Sequence, residues 1–401
     1  MKLAKLSLAA IVAAGAMTTF ASAAPLEEAI KGVDLTGSIR YRVDMNKDGD
    51  ENHRFGGFMT FTAPIADGLK SILTLTYDNT DKAQIDNGSG ENKNDFDVRQ
   101  AYFQYTNAGL QLNVGKMTIN TPWTYVDFLS NGANYGNGVM AYYTGVEGWT
   151  FGAGGFANTN IGVPLPSKLV SAVKGALVTN GTFANAAAAN AFFTGLGDDY
   201  ENSNLYAAAA IGSMGPVNAQ VWVAKMQNVF DHSTFVELST KFEGFSLKAQ
   251  ANYMKLADEL DDLELFGDDD GLTWAAEAGF GMSGFGAKVG YIKTDKDMGI
   301  YALNADHKMI RSGKQLYSQT YNLTDAKTYF GEVSYKFDKY SVGAGYSKTK
   351  ADSDKFGDEW YVEAGYAYSK NFALYTYYSD VDYDVDNSEN KRVRVQAQYK
   401  F

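Results

Sequence analysis

The chain has 401 residues, rich in Gly (41), Tyr (27) and Phe (24), with only 6 Pro and no Cys. The absence of cysteine excludes a disulfide scaffold and any thiolate nucleophile or metal site. A formal charge of -12 argues against a nucleic-acid partner, which needs a basic face.

Taken from the start, Lys2 and Lys5 precede an apolar run over residues 6–17, and Ala21-Ser22-Ala23 forms an A-x-A site before Ala24 and Pro25. The pattern predicts a secretory signal peptide over 1–23, too short and wrongly flanked for a spanning helix. Its removal takes away two lysines and no acid, moving the charge from -12 to -14. Nothing after it approaches the ~20 consecutive apolar residues of a transmembrane helix. An exported chain of this kind that enters a membrane does so as a closed barrel, because only helices and closed barrels satisfy every backbone group in lipid. The mature part, 24–401, is read as one undivided unit with no Pro/Gly/Ser linker.

The alternation then begins. Leu35, Gly37, Ile39, Tyr41 and Val43 oppose Thr36, Ser38, Arg40, Arg42 and Asp44. Such a period-2 pattern is a strand with one apolar and one polar face. Further strands are predicted near 55–63, 69–78, 96–105, 110–116, 139–143, 149–156, 204–211, 217–226 and 234–242. The series continues near 245–255, 272–282, 285–293, 327–337, 340–348, 359–369, 371–380 and 392–401. The predicted fold class is therefore all-β, a transmembrane antiparallel β-barrel of about eighteen strands. Tight turns such as Glu243-Gly244, Ser283-Gly284 and Asp338-Lys339 alternate with long polar loops, as periplasmic and outer connections do. Aromatics gather at strand ends (Tyr41, Tyr77, Phe242, Tyr253, Tyr335, Phe337, Phe401), the pattern of membrane-interface girdles. A secreted β-sandwich or β-helix is the competing reading, although no repeat period suggests a solenoid. The segment 96–105 breaks the rule, since Arg99 falls on the parity of Phe103 and Tyr105.

With these residues in view, the chain resembles the major outer membrane proteins of Campylobacter and related bacteria. The matching stretches are P-L-E-E-A-I-K after the export signal, G-S-I-R-Y-R at 37–42, V-R-Q at 98–100, G-K at 115–116, N-T-P-W-T at 120–124 and the terminal Q-Y-K-F. The resemblance implies an eighteen-stranded porin in the bacterial outer membrane, assembled as a homotrimer amid lipid and lipopolysaccharide. It implies passage of small hydrophilic solutes and ions with a weak preference for cations. Calcium binding is also associated with the family, without ligands that can be matched residue by residue.

The predicted site follows from charge and position. The loop 118–137 carries Trp123, Tyr125, Val126, Phe128 and Leu129 with one charge, Asp127. An apolar loop is costly in water and is expected to fold inward as a pore constriction, with Trp123, Tyr125 and Asp127 at its centre and Asp127 favouring cations. Packing at a subunit interface is the alternative. Arg40, Arg42, Lys70, Arg392 and Arg394 project to the polar faces of their strands, a basic wall that would set a transverse field against Asp127. Dispersed, hydrated lumen charges would look the same. The acidic loop 258–271 makes Asp268, Asp269 and Asp270 calcium candidates, although a solvated acidic loop explains it as well. The long insert 157–203 is assigned no role.

No enzyme is expected. His53, His232 and His307 lie in or beside different loops, and Gly279–Gly284 matches G-x-G-x-x-G only within a strand and turn. No cofactor is required, with calcium the one possible ion. The expected function is a general-diffusion porin; the alternatives are a substrate-specific channel or a barrel-anchored adhesin.

Overall fold

The computed structural model describes residues 32–47, 49, 51–79, 95–129, 133–157, 159, 161, 203–258, 268–296, 307–321, 323–351, 356–384 and 388–401. The export signal over 1–23 and nearly all of the insert 157–203 lie outside them. The alternating segments become β1 (Asp34–Asn46), β2 (Glu51–Ala66), β3 (Leu69–Asn79), β4 (Asp95–Asn107), β5 (Leu110–Thr118) and β6 (Tyr135–Tyr143). Next come β7 (Trp149–Ala157), β8 (Leu205–Met214), β9 (Val217–Met226), β10 (Phe230–Phe242), β11 (Phe245–Leu256) and β12 (Asp270–Met282). The series ends with β13 (Phe285–Lys293), β14 (Lys327–Phe337), β15 (Tyr340–Lys350), β16 (Gly357–Ala367), β17 (Phe372–Tyr383) and β18 (Ser388–Lys400). Each pairs antiparallel with its neighbours in sequence, and β1 pairs with β18, closing one eighteen-stranded barrel.

The closing seam is tightly built. Gly37 and Phe401 exchange backbone hydrogen bonds of 2.9 and 3.1 Å. A Cβ at Gly37 would stand 2.5 Å from the Phe401 ring, so only glycine admits the ring there. Ser38 Oγ donates to the Tyr399 carbonyl at 2.9 Å, and Arg394 grips Asp44 through two bonds of 2.5 and 2.9 Å.

Turn chemistry sets which end is which. Ala108-Gly109, Glu243-Gly244 and Ser283-Gly284 all take positive φ, the two-residue geometry that matches the twist of paired strands. These short turns share one end of the barrel with the start of β1 and the end of β18.

The odd or even apolar residues of each strand face outward: Ile39, Val139, Leu247, Val289, Val333 and Val395 are all exposed. Among the described residues no helix is long and apolar enough to cross a membrane, and the apolar belt is carried by strands. It is rimmed by rings at both levels. At the short-turn end Tyr335, Phe337, Tyr340 and Tyr366 form a stacked run with centroids 5.7, 5.4 and 4.9 Å apart. At the other end Trp274, Tyr291 and Tyr329 sit 5.1 and 4.9 Å apart. From Tyr329 to Phe337 a tilted strand rises roughly 20 Å, close to the ~25 Å apolar band of outer-membrane barrels. The protein is a multi-pass barrel of the outer membrane.

Arg99, out of step in the sequence, sits at a β-bulge. The β3–β4 register shifts between Thr74 and Leu75, so Thr74 faces Gln100 while Leu75 faces Val98. The extra residue lets both Arg99 and Gln100 face inward, while Val98 and Phe103 remain outside. Arg99 then pairs with Asp97 at 3.2 Å and lies over the Tyr135 ring.

Candidate functional site

Among the described residues, two loops fold into the barrel. The first, residues 119–134, leaves β5 and returns to β6, fastened by Ile119 N to the Asn134 carbonyl (2.9 Å) and Asn134 N to the Tyr125 carbonyl (2.7 Å). Thr124 Oγ1 turns back on the Ile119 carbonyl at 2.5 Å and accepts the Thr121 N–H, which tightens the N-T-P-W-T segment. Trp123 is 0% exposed. Its indole N–H donates to Asn252 Oδ1 on β11 at 2.9 Å, and its ring meets Phe235 of β10 edge-on. At the far end Phe128 packs on Phe58 of β2 with centroids 5.3 Å apart. Asp127 accepts Arg40 Nη1 of β1 at 3.0 Å, Tyr125 OH at 3.1 Å and its own Leu129 N–H at 2.9 Å. Arg40 also reaches the Leu129 carbonyl.

In a closed ring of eighteen, β1 and β2 stand opposite β10 and β11. The loop therefore crosses the bore. Eighteen tilted strands enclose a cylinder about 35 Å across, and the five steps from Trp123 to Phe128 reach about 17 Å. The long side chains at either end make up the rest, which explains why both anchors are aromatic.

The second loop, between β13 and β14, is not flagged by apolar composition. It is held by polar groups. Glu359 of β16, 0% exposed, accepts the backbone N–H groups of Lys314, Gln315 and Leu316 at 2.9 to 3.2 Å and the Ser379 hydroxyl at 2.5 Å. Gln315 bonds to Ser379 at 2.9 Å and receives Asn390 at 3.0 Å; Lys314 pairs with Glu363 at 2.7 Å. A single helical turn, α1 (Tyr317–Thr320), follows. Further back, Ile310 N donates to Gln250 Oε1 at 2.7 Å. Lys308 N donates to the Pro122 carbonyl at 3.0 Å, and its ammonium reaches Asn120. The second loop thus rests on the first.

Burial shapes the titrating groups of this loop. His307 is packed against Tyr321, with neither ring nitrogen partnered among the described residues. That burial, with Arg311 nearby, lowers its pKa from 6.5 to about 3. Partial burial lowers Lys308 to about 8, and burial together with the Glu277 charge pushes the Tyr321 phenol far up.

The sequence-predicted residues are now placed. Trp123 is an anchor sealed between wall and loop rather than a group on open water. Tyr125 and Asp127 lie inward, with Asp127 neutralised by Arg40. Arg40, Arg42, Arg392 and Arg394 form one inner strip along the β1–β18 seam. Lys70 points inward from the short-turn end of β3, apart from that strip. Within the strip Arg394 is answered by Asp44, whereas among the described residues Arg42 bonds the neutral Gln396 at 3.0 and 3.2 Å and Arg392 the neutral Asn46 at 3.4 Å. Sequence reading missed Arg54, which lies directly opposite Arg42 across β1–β2 and whose Nε finds no partner among the described residues. Its signal was there: Arg54 shares the inward parity of Asn52 and Thr60.

The carboxylates of Asp268, Asp269 and Asp270 converge within 4.8 Å. Lys255 already pairs with Asp269 at 2.7 Å, holding that carboxyl below its ordinary pKa, and Tyr253 donates to Asp270 at 2.8 Å. A cation such as calcium could in principle bind these carboxylates, in competition with the Lys255 ammonium. The described histidines do not converge. His53 lies between Tyr41 (2.6 Å) and Glu51 (3.1 Å) at the outer rim, and His232 bonds Thr234 at 2.6 Å.

A closed eighteen-strand barrel with an inward loop after its fifth strand agrees with a family match covering residues 1–401, described as Campylobacter major outer membrane protein. The chain belongs to that family. Membership places it among outer-membrane channel proteins rather than enzymes. Among curated proteins no sequence matches. Solved structures of the same fold include Pseudomonas aeruginosa OpdK with vanillate, at 12% identity and TM-score 0.67, covering 92% of this chain and 99% of that one. Pseudomonas aeruginosa OccK5 (OpdH) matches at 11% identity and TM-score 0.65, covering 92% and 99%. Acinetobacter baumannii OccAB4 matches at 11% and 0.64, covering 92% and 98%. The family member is a barrel channel able to pass solutes across the outer membrane.

Proposed function

We propose that this family member is a solute-selective channel rather than an open diffusion pore. The observation that carries the reading is the strand of loop fastened to opposite walls, with a second loop seated on it. A passage so divided forces solutes into contact with the wall. The wall's sign comes from Arg42, Arg54 and Arg392, none of which has a carboxylate partner among the described residues. Guanidinium pairs of this kind favour solutes that carry a carboxylate. One of the structures sharing the fold holds vanillate, in keeping with a small-solute passage. The cation preference expected from Asp127 has less support, because its charge is spent on Arg40.

Planar-bilayer recording in a salt gradient tests this. Current that saturates with succinate, and loses that saturation in Arg42→Gln/Arg54→Gln, is expected. Strictly linear current, indifferent to succinate, would restore the general-diffusion porin, and silence from folded protein would favour the adhesin. The export signal over 1–23 and the homotrimer belong to the same proposal. N-terminal sequencing of the mature protein and the mass of the detergent-extracted particle check them.

A further inference from the structure

Beneath the first loop, on its short-turn side, the inner wall of β6 to β10 is hollowed into a cavity of about 270 Å³. Tyr142, Trp222 and Phe235 line it, Gly152 leaves room between them, and Pro122 and Lys308 form its roof. Two charges reach it. Glu237 is already answered by Gln250, which donates to it, and by Lys248 at 4.0 Å. Lys308 is different. Its ammonium touches only the Asn120 amide, and among the described residues no carboxylate lies within ion-pair distance. The ammonium is exposed to the bore, where an anion can reach it, and partial desolvation lowers its pKa. An apolar, aromatic-walled cavity with one unanswered cation at its lip is the composition of a small-ligand site.

We infer that this cavity binds a small aromatic monocarboxylate, its ring against Tyr142 and Trp222 and its carboxylate on Lys308. The volume admits one ring with small substituents. The aromatic walls supply dispersion and ring packing, while the carboxylate gives Lys308 a counter-charge that the described residues do not supply. Neutral rings of the same shape would gain the first contribution without the second, and acetate the second without the first. The site is separate from the arginine strip, so it stands or falls independently of the transport reading.

The test is binding to folded, detergent-solubilised protein without any flux measurement. Benzoate, benzamide and acetate are titrated while tryptophan fluorescence is followed, with Trp222→Phe identifying the reporting ring. Benzoate is expected to perturb Trp222 and to bind about tenfold or more tightly than benzamide, with acetate weaker than both. In Lys308→Met, benzoate should fall to the benzamide level while benzamide is unchanged; Lys308→Arg should keep most of the preference. Equal binding of benzoate and benzamide by the unaltered protein would overturn the inference, as would no response from Trp222 at all. Both of those outcomes are read on the native chain, so a variant that fails to fold does not protect the idea.

Discussion

The two inward loops do similar work with opposite chemistry. The first is fixed by apolar anchors, Trp123 and Phe128, with an ion pair between Asp127 and Arg40. The second is fixed by a buried carboxylate, Glu359, that gathers three successive backbone N–H groups. The difference teaches that a loop enters a water-filled barrel for either of two reasons. Either it carries side chains that water rejects, or it finds on the wall the hydrogen-bond partners it would otherwise take from water.

Removing each anchor separates the two cases. The largest effect is expected from Trp123→Ala, which empties a fully buried indole site at a cost of about 3–5 kcal/mol. The first loop should leave β10 and β11, and single-channel conductance should rise severalfold. Glu359→Ala comes next, at roughly 3 kcal/mol, because it strands three donors. Hydrogen exchange should then speed across 307–321 while the 119–129 amides keep most of their protection. Uniform acceleration of both loops would show that they are a single unit.

Asp127→Asn is expected to cost about 1–2 kcal/mol, since Arg40 keeps its bond to the Leu129 carbonyl. It should shift the reversal potential toward anions, as Arg40 regains its field. The smallest effect near neutrality is titration of His307. Its pKa in the folded loop is about 3 against 6.5 for the free side chain. The released loop therefore binds the proton more readily between those values. Stability is complete above about pH 6.5 and declines as pH falls toward 3, by roughly 1 kcal/mol at pH 6. Amide exchange of the second loop as a function of pH measures this, and His307→Phe should flatten the dependence.

The barrel was legible because its strands carry strict alternation, and the strand count and tight turns follow from that. The first loop drew notice for a different reason, composition: Trp123, Tyr125 and Phe128 beside one acid are costly in water. The second loop did not, because its anchor is a residue of another strand. Glu359 looks like any inward carboxylate, and Gln315 and Lys314 look like outer-loop residues. Arg99 was illegible in a different way, since a bulge changes parity without changing composition. For Asp127 the sequence could not show the partner that answers its charge, because Arg40 is 87 positions away.

The seam between β1 and β18 has a consequence for how such a wall comes into being. Every other pairing joins strands that follow one another, so each adds a hairpin to an existing edge. The seam alone joins positions as far apart as Ser38 and Tyr399, 361 residues distant. Until it forms, two strand edges stand open, with rows of unpaired amides that lipid cannot satisfy. The entropic cost of drawing such distant ends together grows only slowly with length, but it falls on one step. Ring closure is then the committing event of insertion, and the Gly37–Phe401 exchange and the Asp44–Arg394 pair act as its latch. A barrel weakened at that latch would be expected to unzip from a defined place rather than to melt throughout.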